Sequence, residues 1–307
     1  MRVATPFRGT SGSWFVASAV VAALGVSLAS GAVGISDTVV LVEAHGGGGS
    51  AVFALSLSAA NYDPIERTAS WNRTTPMNLI NPLNGQTVGV MRSCNVFVRH
   101  YPPRMTANIA FTAGSSTTTF VVRSAHITFP VMDGSLAEGR ATASVSAQDM
   151  NNDGVSLQAV GPPGAGIFVA QFNGEAPNGT TYASLVSSLV AGPGGVATAY
   201  QNDPETGYRR VRSPVGDISS RIEFTLTPAD RGSANVRWEV QGVPFPAGDC
   251  NCDGRLNNFD VDPFLFALID PDMYELMQPG CRWLNADINT DGLVDNFDID
   301  EFAELLP

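Results

Sequence analysis

The last fifty-nine residues of the chain contain one twelve-residue pattern twice, and this repeat restricts the possible fold more than any other feature. Residues 249–260 read DCNCDGRLNNFD and residues 287–298 read DINTDGLVDNFD. In both copies positions 1, 3, 5, 9 and 12 carry oxygen-bearing side chains, and position 6 is glycine (Gly254, Gly292). A loop that wraps a hard cation such as Ca2+ needs several oxygens at close range and a residue that permits a sharp turn at its sixth place. One such run is also an ordinary turn sequence. Two in matching register point to a pair of ion-binding loops. Position 8 is apolar in both copies (Leu256, Val294), where paired loops join.

Charge has the same address. Residues 249–307 hold fourteen acids against two arginines, whereas residues 1–248 hold fifteen of each, so the formal charge of −12 sits entirely in the tail. Carboxylates at that density repel one another, so the expectation is that tail folding is coupled to binding divalent metal. Nucleic acid and anionic membranes are poor partners for such a tail. Every basic side chain is arginine.

The tail, residues 249–307, resembles a type I dockerin of the form appended to secreted bacterial proteins. The carriers are the two loops and the near-repeat NFDVDPF at 258–264 and NFDIDEF at 296–302. The resemblance implies two calcium-loaded half EF-hands, each lacking the helix before its loop. It implies ligation of one Ca2+ by Asp249, Asn251, Asp253, Asn257 and Asp260 with the carbonyl of Arg255. A second Ca2+ would take Asp287, Asn289, Asp291, Asp295 and Asp298 with the carbonyl of Leu293. It also implies a cohesin-like or cell-surface protein partner. Dockerins that bind cohesins carry a Ser-Thr pair at positions 10 and 11; here these are Asn258-Phe259 and Asn296-Phe297, which puts a standard cohesin in doubt. Asp rather than Glu at position 12 argues against a calmodulin-like switch and for a permanent structural ion.

The other end sets the expected compartment. Arg2 and Arg8 precede an uncharged apolar run from Trp14 to about Leu28, followed by small residues 29–32. This reads as a secretory signal peptide over residues 1–31, whose apolar core from Trp14 to about Leu28 is short for a bilayer span, which takes about 20 apolar residues. The mature chain is then expected to be extracellular or on the cell surface, with no membrane span. Four cysteines fit an oxidising compartment: Cys94, Cys250, Cys252 and Cys281. Cys250 and Cys252 sit at loop positions 2 and 4, which point away from an ion held by 1, 3 and 5. Three pairings are available. Cys252–Cys281 is preferred, because it closes the linker between the loops and stabilises by about 3–4 kcal/mol on the chain-entropy model. Cys250 would then reach Cys94 and staple the tail to the rest of the chain. A C-x-C inside a calcium loop, with no histidine near, argues against zinc.

Between these ends, residues 32–245 read as one all-β domain of sandwich or jelly-roll type, followed by the small α-helical tail at 246–307. Period-two alternation is clear at 221–227 and 234–240, with 228–233 reading as a hairpin connection. Other candidate strands are 51–57, 87–99, 106–112, 118–122, 125–129, 141–147 and 166–172; 182–190 suits a helix or a strand. The segment 149–154, DMNNDG, repeats the opening of the tail loops, but Leu157 and Val160 occupy positions 9 and 12. It reads as an Asx-rich turn, or as a calcium site completed by another loop.

No nucleophile, zinc or phosphate-loop motif is present, and His45, His100 and His126 are scattered singly. Acid pairs for glycoside hydrolysis need only spatial proximity, which leaves Asp63, Glu66, Asp133, Glu138, Glu175, Glu223 and Glu239 as candidates. The expected function is a secreted calcium-binding protein whose tail serves attachment or assembly and whose β domain binds a glycan or surface component. A polysaccharide-degrading enzyme carrying a dockerin and a purely structural surface protein are the alternatives. Exposed aromatics on a flat face, with Trp71 or Tyr101 as candidates, would favour the glycan. A concave face with two close carboxylates would favour the enzyme.

Overall fold

The computed structural model describes residues 34–132, 136–243 and 245–306. The expected signal peptide at 1–31 and the candidate acid Asp133 lie outside the described residues. The described chain is a mainly β structure of two antiparallel sheets, followed by a small helical region. A ten-stranded sheet runs Gly34–Ile35, Ile127–Met132, Val215–Leu226, Thr118–Ser124, Thr38–Gly46 and Gly49–Ser56. Phe168–Phe172 and Val155–Ala159 add to the free side of Val215–Leu226, and they pair in turn with Thr180–Leu185 and Ser188–Ala191. The nine-stranded sheet runs Val196–Asp203, Ala137–Gln148, Arg231–Gly242, Arg104–Ala113, Thr87–Arg99, Thr68–Arg73 and Asn61–Asp63.

Alternation decides which side of each strand is buried. In Arg231–Gly242 the residues Ala234, Val236, Trp238 and Val240 point into the core, while Asn235 and Arg237 point out. The two sheets meet through aromatic side chains. Phe111 of one stacks on Phe120 of the other at 4.5 Å, with Phe224 tilted against both. Trp238 lies 4.4 Å from Tyr182, and its indole N–H donates to the carbonyl of Gln171 across the sandwich at 2.9 Å. Gly139 makes room for that ring, since a Cβ there would come within 2.8 Å of the indole.

Two expectations need correction and one choice left open is decided. The segment 228–233 is no hairpin: Val215–Leu226 belongs to the ten-stranded sheet and Arg231–Gly242 to the nine-stranded one, so the chain crosses between sheets there. Both strands show an apolar face toward one core, and alternation carries no information on which sheet a strand joins. Of the two readings open for residues 182–190 the strand is found: they form parts of Thr180–Leu185 and Ser188–Ala191, broken at Val186, whose φ is +57°. The Cys94 to Cys250 staple is absent. Both are free thiols, each fully buried in a different cluster, because Cys94 faces inward from the middle of Thr87–Arg99. Burial pushes the Cys94 thiol up to about 12. The preferred disulfide, Cys252–Cys281, is formed.

The tail has three short helices: α1 (Val261–Ile269), α2 (Pro271–Met277) and α3 (Asp298–Leu305). Helix α2 starts where it does because Asp270 accepts the N–H of Met273 and Pro271 occupies the first turn. Among the described residues no helix is long and apolar enough to cross a membrane. The tail core is small and is built on Phe264, stacked on Phe302 at 4.0 Å, with Tyr274 and Val294.

Sandwich and tail belong to one compact unit and meet at specific atoms. The hydroxyl of Tyr101 donates to the carbonyl of Cys281 at 3.1 Å. Gly242 packs so close to the carbonyl of Gly280 that a Cβ would stand 2.1 Å from it. Arg67 pairs with Asp272 and lies 3.5 Å from Glu275. Burial outweighs this attraction and, with the charge of Asp272 adding, raises the Glu275 carboxyl to about 7. A raised carboxyl binds its proton more tightly in the folded state, so this contribution is full below the ordinary glutamate value and lost as pH rises through about 7. With calcium held in excess, the unfolding midpoint of the full chain should therefore decline between about pH 4.5 and pH 7 more steeply than that of Glu275→Gln. Parallel curves for the two proteins would contradict this.

Candidate metal centre

The two tail loops share one hydrogen-bonding scheme. In the first, Asp260 is fully buried and accepts the N–H groups of Asn251 (3.1 Å) and Asn257 (2.9 Å) on its two oxygens. In the second, Asp298, equally buried, accepts Ile288 (2.7 Å) and Asn289 (3.1 Å) on Oδ1 and Asp295 (2.9 Å) on Oδ2. The twelfth residue thus clamps the third and ninth in each loop. The first residue reaches the sixth: Asp249 Oδ2 accepts Gly254 at 3.0 Å and Asp287 Oδ2 accepts Gly292 at 2.9 Å. Asn251, Asp253 and Asn257 each accept the N–H two residues on, and Asn289, Asp291 and Asp295 do the same.

Backbone conformation repeats as well. Gly254 and Gly292 have φ of +85° and +91°, and Cys252 and Thr290, both at position 4, have +56° and +60°. A Cβ on either glycine would meet nothing within 4 Å, so it is φ and not space that requires glycine. Leu256 and Val294, at position 8, pack into one tail cluster. Of the backbone candidates, the carbonyl of Arg255 accepts Asn257 Nδ2 at 3.4 Å, and Leu293 is exposed.

The fit to a cation rests on one atom. Asp249 has no exposed surface, and its Oδ1 is buried without a hydrogen-bond partner. Burial raises its pKa, and the charges of Asp260 and Asp253 add to the effect. A buried carboxylate oxygen with no hydrogen-bond partner and no cationic side chain paired to it is the kind of group that a hard divalent ion would satisfy. Asp287 differs, since both its oxygens accept loop N–H groups (Asp291 and Gly292).

The turn at 149–154 opens like the tail loops. Asp149 Oδ2 accepts Gly154 at 3.1 Å, position one to position six again. It also accepts Gly194 at 2.6 Å, while Oδ1 accepts Asn151 and Asn152. Burial alone would raise the Asp149 carboxyl, but these four N–H groups outweigh it and hold the group down at about 2. Among the described residues the one trio of carboxylates within 4.8 Å is Asp149, Asp153 and Asp230; those of the tail loops stand further apart. Asp230 has its own partners, the N–H of Met150 and the hydroxyl of Thr227, so the trio is internally satisfied.

Among the described residues, four of the expected sandwich acids are engaged with partners of their own. Glu223 pairs with Arg221, Glu239 is held by Arg237 and the Tyr208 hydroxyl, and Glu138 accepts Gln241. Asp63 caps the N–H groups of Ile65 and Glu66. Of the aromatic candidates, Tyr101 is committed to the tail contact and Trp71 stacks on Phe53 at 5.6 Å. Tyr101 is therefore no free platform, whereas Trp71 is half-buried and also lines a cavity with Asn72 and Asn95.

A scan against protein-family models and a search of curated proteins each found no match to this chain.

Because Asp260 and Asp298 each clamp two loop segments, Asp260→Ala or Asp298→Ala should destabilise the tail by about 1–3 kcal/mol even in chelator. Asn258→Ala, whose side chain makes no loop bond among the described residues, should cost less than about 0.5 kcal/mol. Denaturant titration followed by far-UV circular dichroism measures the difference, and equal losses would show that the clamp carries no weight.

Proposed function

We propose that this chain is a secreted calcium-binding protein in which a dockerin-like tail serves attachment or assembly and the β-sandwich binds a glycan or surface component. The observation that carries the reading is the pair of matching cradles, and the buried, unpartnered Oδ1 of Asp249 supports it. On this reading the first ion is held by Asp249, Asn251, Asp253, Arg255, Asn257 and Asp260. The second is held by Asp287, Asn289, Asp291, Leu293, Asp295 and Asp298. Calcium would offset the mutual repulsion of these carboxylates, and at a hundred times its dissociation constant each ion would add about 2.7 kcal/mol to stability.

The partner surface follows from positions 10 and 11 of the loops. Phe259 and Phe297, at equivalent places, are 79% and 77% exposed. Two matching, outward-turned phenylalanines support docking to another protein by apolar contact rather than through the hydroxyl pair of cohesin-binding dockerins.

Titration calorimetry of the chelator-stripped full chain tests the calcium reading. Two Ca2+ should bind, with Asp260→Ala removing one and Asp298→Ala the other. The second loop offers four carboxylates against three in the first. In reduced protein the tighter phase should therefore vanish with Asp291→Ala and persist with Asp253→Ala. The Cys252–Cys281 bridge stiffens the first loop and should narrow this order on oxidation. Absence of binding heat, with no calcium-dependent rise in unfolding midpoint, would overturn the proposal.

A further inference from the structure

The outer face of the nine-stranded sheet carries a row of amides that sequence order hides. Asn72 stands opposite Asn95, Asn95 opposite Asn108, and Asn108 opposite Asn235, on four adjacent strands. Strand alternation points all four away from the core, and Asn72, Asn108 and Asn235 are exposed. Together with Phe97 and Thr106 of the next row they line a cavity of about 570 Å³ whose lining has no charged side chain. Among the described residues these amides make no side-chain hydrogen bond, and Asn95 Oδ1 is buried without a partner. A row of groups that both donate and accept, with one acceptor left bare, matches a hydroxyl-bearing chain laid across the strands.

Two residues further along each strand the same face becomes basic. Arg99 stands directly opposite Arg104, and Glu239 lies between Arg104 and Arg140. Arg237 pairs with Glu239, and the guanidinium of Arg104 lies 5.0 Å over the ring of Phe97. Four guanidiniums thus surround one carboxylate, which also accepts the Tyr208 hydroxyl. The Nε atoms of Arg104, Arg140 and Arg237 are buried without hydrogen-bond partners. Like charges directly opposite on neighbouring strands destabilise a sheet, and the Arg99–Arg104 pair keeps its place with Arg99 Nε donating to the carbonyl of Pro102 at 3.2 Å. Burial lowers the pKa of Arg99, and the positive charges of Arg104 and Arg237 lower it further, as expected where cationic charge is in excess.

We propose that this face binds an acidic polysaccharide, its hydroxyls on the asparagine row and its carboxylate or sulfate groups on the arginines. The inference rests on the glycan-binding role proposed above and narrows it to one surface and one ligand class. Excess positive charge selects an anion, the amide row selects a polyhydroxylated one, and Phe97 offers an apolar surface between them. The acidic tail repels such a ligand.

Full-length, calcium-loaded protein is titrated with dextran sulfate, oligogalacturonate and unmodified dextran. Arg104→Gln and Asn108→Ala variants are compared with Arg123→Gln, which removes the same charge from the ten-stranded sheet. Binding of at least one anionic glycan should exceed that of dextran and weaken with salt. Arg104→Gln should weaken it by about tenfold or more, as loss of a charge-assisted hydrogen bond does. Asn108→Ala should weaken it severalfold, and Arg123→Gln should leave it unchanged. Thermal unfolding confirms that each variant folds. Dextran bound as tightly as the anionic chains, or Arg104→Gln binding like the parent, overturns the inference while the broader glycan reading stands. No binding of these or of a wider glycan panel overturns both. Self-association of the parent that Arg104→Gln abolishes, seen by sedimentation without glycan, would assign the face to the acidic tail of a second copy and overturn the inference as well.

Discussion

The tail depends on two buried carboxylates. Asp260 and Asp298 each bridge the third and ninth residues of their loop, and each stands at the point where a loop runs into a helix. The apolar core around them is small, centred on Phe264, Phe302 and Tyr274, and burying it supplies only part of what ordering about sixty residues demands. Shape is instead held by N–H groups converging on carboxylates and by the Cys252–Cys281 bridge between the first loop and the linker. Such a design leaves acid oxygens turned inward. Asp249 Oδ1 is the one that finds no partner, and for that reason it supports the metal proposal.

The sandwich solves a different problem with similar chemistry. Two connections at one end of it carry the chain from one sheet to the other: 149–154 after Ala137–Gln148, and 227–230 after Val215–Leu226. Asp230 accepts Met150 N–H, and Asn151 Nδ2 donates to the carbonyl of Pro228, so each corner holds the other. This explains why DMNNDG repeats the tail motif at its opening and departs from it afterwards. The first-to-sixth contact is a general way of closing a tight turn. In the tail the bond scheme continues to a twelfth-position carboxylate; here the chain enters Val155–Ala159 and the remaining contacts come from Gly194 and Asp230.

What was legible in the sequence follows the range of each interaction. Thr87–Arg99 was readable to the residue, because a run of apolar and β-forming side chains is a local signal, although its alternation is interrupted by a register shift between Met91 and Ser93. The tail loops were readable because their donors and acceptors lie within twelve positions of one another. The crossing at 228–233 was misread as a hairpin, since alternation tells which face is buried and not which sheet receives the strand. Cys94 could not meet Cys250 because its parity in the strand turns it inward, a constraint that needs the sheet's inner face to be known. Tyr101 and Trp71 were candidate platforms by residue type alone, and the fold commits the first to Cys281 and stacks the second on Phe53. The asparagine row was invisible for the converse reason. Its members are spread from 72 to 235, and only strand register brings them together.

Charge ties the two halves of the molecule into one argument. The sandwich segment, residues 32–245, carries fifteen acids against thirteen arginines, yet its outer sheet face gathers four arginines around one glutamate, while the tail concentrates acid. The two regions meet at the Arg67 contacts with Asp272 and Glu275, so their fields overlap within roughly a Debye length at physiological salt. On the reading proposed here, an uncharged ligand would be indifferent to the state of the tail. A polyanion would not be: it would be drawn to the arginine face and pushed away by bare tail carboxylates. Calcium in the two loops would remove four units of negative charge from that balance. Metal occupancy would then act on ligand affinity through space, without a change in the shape of either part.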